Sequence, residues 1–192
     1  MREIIQKILE ESIEVKNRSI KKNIDRIISG ADRIATSLAA GHKVLIFGNG
    51  GSAADAQHIT AEFVNRFKIE RPPLAAIALT TDTSIITSIG NDYQFDDIFA
   101  KQVHALGKKG DIAWGISTSG NSKNVIEGIK AAKKIEIFSF GMTGRGGRLA
   151  KLVDLAFRVE SDTTARIQEV HITMGHILCN LVDRILFPDQ FK

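Results

Sequence analysis

The chain has 192 residues, 43% of them hydrophobic and 25% charged, with a formal net charge of +4. That length and balance describe one globular domain able to bury roughly two-thirds of its unfolded surface. They exclude a low-complexity chain, and a single cysteine, Cys179, excludes a disulfide framework. Basic residues are spread along the sequence, and Lys108-Lys109 and Lys133-Lys134 fit helix-end solvation better than a nucleic-acid face. The opening MREIIQKILEES is charged and amphipathic, unlike a signal peptide, and no apolar run is long enough for a membrane span. The expected location is the cytoplasm.

From Ile4 to about Ala40 apolar residues recur at helical spacing, clearest at Ile20, Ile24, Ile27, Ile28, Ala31, Ile34 and Leu38. The spacing predicts a long amphipathic helix with candidate breaks near Asn17 or Gly30, closed by Gly41 at C′. Ile4, Ile5, Ile8, Leu9 and Ile13 extend the stripe beyond what one sheet face needs. That excess points to a subunit interface in residues 1–40, ahead of an α/β core over 41–187. Val44 to Phe47 is a short β-branched and apolar run, a buried strand. Gly48-Asn49-Gly50-Gly51 breaks it, and Ser52 is a candidate N-cap for an Ala-rich helix with Asp55 in its first turn. Arg71-Pro72-Pro73 stops the helical pattern.

Leu74 to Leu79 is the second predicted strand. Thr81-Asp82 starts a short helix to about Ile89, and Gly90-Asn91-Asp92 makes a turn. Asp96 or Asp97 can cap a helix running through Ile98, Val103 and Leu106. The third strand is Ile112 to Ile116, followed by the turn Ser117-Thr118-Ser119-Gly120-Asn121-Ser122 and a helix carrying Val125, Ile126 and Ile129. A fourth strand is expected at Ile135 to Phe140 and a fifth at Leu155 to Val159, with a short helix near Leu149 to Leu152 between them. Thr163 or Thr164 begins the last helix, which ends before Pro188. Nearly continuous apolar strands alternating with helices predict a three-layer α/β sandwich, a parallel five-stranded sheet between helix layers. The turns after the first and third strands then open on one carboxyl edge, where such sheets bind ligands.

Strand, glycine turn and helix N-terminus present free backbone N–H groups to an anion. The loop Gly48 to Ser52 lacks the acidic partner of a dinucleotide fingerprint and the Lys of a P-loop. Taken alone it is a weak signal, with a tight turn that merely packs helix on strand as the alternative. The second loop adds the hydroxyls of Ser117, Thr118, Ser119 and Ser122 with no cation inside it, which fits a small phosphate monoester. The bland alternative is a serine-rich cap. His58 and Glu62, four residues apart, leave one helix face and can share a metal or act as an acid/base pair, or be a surface pair. In the last helix Gln168 and His176 lie on one stripe, with His171 an equal competitor. Arg166, Glu169, Asp183 and Arg184 read as helix-surface charges or interface pairs. Asp92 is either a turn residue or a sugar-hydroxyl acceptor.

The stretches GNGGSAADAQH, AIALTTDTS, IGNDYQF, GISTSGNS and TARIQEVHITMGHIL occur in an order and spacing that resemble the sugar isomerase (SIS) domain of bacterial phosphoheptose isomerases. The resemblance covers nearly the whole chain. It implies a homotetramer of flavodoxin-like subunits that interconverts sedoheptulose 7-phosphate and D-glycero-D-manno-heptose 7-phosphate for surface-glycan heptose. Matched position by position, it implies a sugar-phosphate site of Asn49, Gly50, Gly51, Ser52, Ser117, Thr118, Ser119 and Ser122. Asn91 and Asp92 would meet sugar hydroxyls. His58, Glu62, Gln168 and His176 match the family's zinc site, with Glu62 and His176 its acid/base pair, and so His176 is favoured over His171. The tail from Cys179 to Gln190 is also similar to a relative that binds the replication initiator, but Glu62 and His176 favour the enzyme over that role or a sugar-phosphate sensor.

Overall fold

The computed structural model describes residues 1–191. Five parallel strands lie in the order β2-β1-β3-β4-β5, the flavodoxin-like arrangement. They are β1 (Val44–Gly48), β2 (Ala76–Ala78), β3 (Ile112–Ser117), β4 (Phe138–Thr143) and β5 (Leu155–Arg158). Gly48 of β1 stands beside Ile116 of β3, so both strands end together. The helices are α1 (Arg2–Ala39), α2 (Gly51–Val64), α3 (Thr83–Asp92), α4 (Ile98–Leu106), α5 (Lys123–Lys134), α6 (Gly147–Leu152) and α7 (Thr164–Leu186), with 3-10 turns at Phe95–Asp97 and Pro188–Phe191.

Strand alternation sorts the core into two halves. Val44, Ile46, Trp114, Ile116, Phe140 and Met142 face α1, α2 and α7, while Leu45, Phe47 and Ala113 face the layer of α3 to α6. Cys179 is a free, buried thiol of the first half, and burial pushes its pKa well above the ordinary thiol range. Among the described residues no helix is long and apolar enough to cross a membrane.

Several expectations on element bounds change. Helix α1 is unbroken at Asn17 and Gly30; Gly30 is buried where a Cβ would meet the Phe157 ring at 2.9 Å, so it serves close packing rather than a break. Its 38 residues span about 57 Å, and Gly41 follows it with φ +80° as a C′ glycine should. Gly50, not Ser52, caps α2, because its φ of +54° makes the turn; Ser52 is buried inside the helix and Asp55 lies past the first turn. Strand β2 is only three residues, shorter than Leu74 to Leu79. Helix α3 runs on through Gly90-Asn91-Asp92 to a cap at Tyr93, so no turn occurs there. Strand β4 begins at Phe138 rather than Ile135: α5 continues to Lys134, and Glu136, at φ +57°, turns the chain. Arg166 and Asp183 are buried, at 8% and 1% exposure, not surface charges.

Candidate functional site

In a 2-1-3-4-5 sheet the strand order reverses between β1 and β3, and ligands bind at that crevice. Both candidate loops sit there. Asn49 and Asn124 join them by a reciprocal amide pair, each donating to the other at 2.8 Å. Asn124, buried at the start of α5, also accepts from the Val125 N–H at 2.9 Å. Sequence reasoning passed over it, since a single Asn after a cap carries no spacing signal. Ser117, buried at the end of β3, sits 2.9 Å from Ser122 and 3.4 Å from Ser119, hydroxyl to hydroxyl. The exposed Ser119 hydroxyl accepts from the Asn121 N–H at 3.1 Å, and Thr118 is half-buried beside it. Gly120 holds the bend with φ +65°, its backbone against the Gly146 carbonyl, which leaves no room for a side chain. The hydroxyls and helix N-termini thus converge as an anion site requires.

Helix α2 then carries the second cluster away from this edge. His58 Nε2 lies 3.1 Å from Glu62 Oε1 and 3.2 Å from His176 Nε2, so α2 and α7 meet at their side-chain tips. The rings of His58 and His176 are edge to face at 4.9 Å, and Phe67 stacks on His176 at 5.4 Å. Burial first, then the His58 and Lys68 charges, hold the His176 pKa below the ordinary histidine range, with Glu62 opposing. Neutral imidazole is therefore its resting form near pH 7. Asp55, one turn before His58, has a buried Oδ2 without a hydrogen-bond partner among the described residues; burial raises its pKa to about 6 against the pull of His58.

The three donor atoms lie within 4.8 Å of one another. Tetrahedral bonds of about 2.05 Å place neighbouring ligand atoms about 3.3 Å apart, close to the 3.1 and 3.2 Å separations seen. Two imidazoles and a carboxylate suit a divalent transition ion, and these residues fit one. Gln168, half-buried on α7 two turns before His176, lays its amide over Gly51, where a Cβ would meet Gln168 Cδ at 2.9 Å. His171 is excluded from that face: it is fully buried, its Nε2 donating to the Thr143 carbonyl at 3.2 Å. Burial lowers its pKa to about 4. Asn91 and Asp92 are exposed at the end of α3, hydrogen-bonded to each other at 2.8 Å and to neither loop nor cluster.

Comparison with known proteins agrees with this geometry. The SIS domain family model matches residues 8–144. A phosphoheptose isomerase of Nitratidesulfovibrio vulgaris (strain Hildenborough) is 57% identical over 95% of this chain and 89% of its own, and one of Aquifex aeolicus is 55% identical over 97% and 98%. The structure of phosphoheptose isomerase GmhA from Neisseria gonorrhoeae superposes with a TM-score of 0.89 at 45% identity, covering 95% of this chain and 98% of that one. The chain belongs to the phosphoheptose isomerases of the SIS-domain family.

Proposed function

We propose that this chain interconverts sedoheptulose 7-phosphate and D-glycero-D-manno-heptose 7-phosphate, with the phosphate on the two switch-point loops and the reacting carbons at Glu62 and His176. The observation that carries the reading is the convergence of His176 on His58 and Glu62, both carried by the helix that the glycine loop opens. Ketose to aldose conversion takes a proton from C1 and returns one to C2, while O1 loses a proton and O2 gains one. The Glu62 carboxylate is the base that carries the proton between the carbons. His176, neutral at rest, accepts the O1 proton and supplies O2. Asn49, Gly50, Gly51, Ser52, Ser117, Thr118, Ser119 and Ser122 bind the phosphate, and Gln168, with Asn91 and Asp92, orients the sugar. His58, Glu62, Gln168 and His176 would hold a zinc ion, which supplies Lewis acidity toward the carbonyl oxygen and the negative charge that develops there.

The exposed stripe of α1 supports a homotetramer: Ile4, Ile5, Ile8, Leu9 and Ile13 are 49–67% exposed within one chain and need a partner surface. A cytoplasmic enzyme feeding heptose to surface glycans accords with this substrate. The test is sedoheptulose 7-phosphate turnover with and without chelator and added zinc. Activity lost to chelation and restored by zinc supports enzyme and metal together; activity indifferent to chelation removes the metal. Glu62→Gln is expected to lower kcat by about 10²–10⁴-fold with substrate still bound, and wild-type turnover in that variant would remove Glu62 from the mechanism.

A further inference from the structure

Arg71 lies beyond α2, just before Pro72-Pro73, and its side chain is 1% exposed. It turns back beneath the helix that carries His58 and Glu62. Its Nη2 donates to the Glu62 carbonyl at 2.8 Å and its Nη1 to the Phe63 carbonyl at 2.8 Å, with the Asn65 carbonyl at 3.2 Å. These acceptors are orphan carbonyls at a helix C-terminus, and a cation there also suits the helix dipole. The remaining Nε donates to Asp183 Oδ1 at 2.8 Å. Asp183, equally buried, sits two turns after His176 on α7. One guanidinium therefore grips the backbone of Glu62 and the helix of His176 together.

Stability alone accounts poorly for this pair. Desolvation of two charges offsets much of their attraction, and apolar residues of similar volume often serve folding as well. Asp183 Oδ2, moreover, is buried with no hydrogen-bond partner among the described residues. What the pair does supply is a fixed relation between two helices, since a planar fork bonded on both sides tolerates little rotation.

We propose that Arg71 and Asp183 are positioning residues for the proton-transfer and metal-type cluster, locking the end of α2 against α7 so that Glu62 and His58 meet His176. Neither touches substrate. The inference rests on the isomerase reading for its kinetic effect, but not for its effect on metal affinity.

The test compares Arg71→Lys, Asp183→Asn and the apolar double variant Arg71→Met/Asp183→Leu in the full chain. Zinc affinity is measured by chelator competition, kcat and KM on sedoheptulose 7-phosphate, and Tm by thermal melt. The double variant is the informative one, because it removes both charges without leaving either buried alone. Its Tm falls because the Glu62, Phe63 and Asn65 carbonyls lose the Arg71 donor, so the assays are run well below that Tm. There it is expected to bind zinc 10–100-fold more weakly, as loss of an outer support does, and to lower kcat by a similar factor. KM should stay within about twofold, since the phosphate loops lie at the other end of α2. A double variant with wild-type zinc affinity and kcat would overturn the proposal and leave the pair a purely structural one. If the wild-type chain turned over no sugar phosphate, the isomerase reading would fall, while the zinc affinities of the same variants would still decide the positioning role.

Discussion

Gly51→Ala separates the site from the fold. Gly51 is the first residue of α2 and carries no positive φ, so alanine meets no backbone strain there. Its Cβ would stand 2.9 Å from Gln168 Cδ, closer than unbonded carbons approach, and 3.2 Å from Oε1, a tight contact. The obstacle is the end of a flexible side chain, so Gln168 moves and the helices do not. Shifting it off its rotamer costs about 0.5–1.5 kcal/mol, against as much as about 1 kcal/mol gained from replacing a helical glycine. The two nearly cancel, and Tm should change by no more than about 2–4 °C. Activity is another matter, because a misplacement of about 1 Å in a positioning group costs about 10²-fold. The expected result is therefore native stability with kcat/KM down by about 10–100-fold. A double cycle with Gln168→Ala checks the cause: if Gln168 mediates the loss, its removal adds little in the Gly51→Ala background. Gly51→Ala turnover within twofold of wild type would refute the placement of Gln168 in the site.

Two further outcomes follow from the same geometry. His171, with its pKa lowered to about 4 by burial, is neutral in the folded chain while the unfolded chain binds a proton below about pH 6.5. Its contribution to stability is full above pH 6.5 and is lost as pH falls toward 4, by about 1.4 kcal/mol per pH unit and about 3 kcal/mol in all. Urea titrations of wild type and His171→Met across that window should diverge in slope, and parallel curves would show that His171 does not titrate in this way. Ser119 is exposed and accepts one backbone hydrogen bond, from Asn121. Ser119→Ala should therefore cost less than about 1 kcal/mol of stability while raising KM for the sugar phosphate about tenfold. An unchanged KM would remove that loop as the phosphate cradle.

The sequence carried the sheet and one half of the site because both are local patterns. Val44 to Phe47 is apolar on both faces, as a strand covered on both sides must be, and the four-residue spacing of His58 and Glu62 places them on one side of a helix whatever the fold. Strand β4 was misplaced because Ile135 and Ile137 are as apolar as the strand itself; only the backbone turn at Glu136 separates them from it, and hydropathy does not record a φ angle. His171 and His176 were indistinguishable by spacing, since each lies in an apolar stripe, and only the neighbours of α7 decide that one meets the Thr143 carbonyl and the other His58. Asn124 gave no signal at all, and Arg71 none beyond its place before the two prolines. Their partners are 75 and 112 residues away, Asn49 and Asp183 respectively, and no periodic pattern reaches that far.

Those distant partners bear on how the site holds its shape. Helices α2 and α7 run side by side in the same direction, and they meet at three heights. At the loop end Gln168 lies over Gly51; midway Ile59 fills the space against Gly175, where a Cβ would come within 2.7 Å; at the far end Arg71 joins the Glu62 carbonyl to Asp183. Contact at mid-height alone sets the distance between the axes but not the rotation of either helix about its own. A side-chain tip stands about 5–6 Å from the axis, so a turn of about 20° would carry the Glu62 carboxylate about 2 Å, twice the misplacement that costs about 10²-fold. The hydrogen-bonded fork of Arg71 at the far end restrains that freedom. The Arg71 tie therefore belongs to the same apparatus as the residues proposed to meet the sugar, although it lies a full helix length from the proposed phosphate loops.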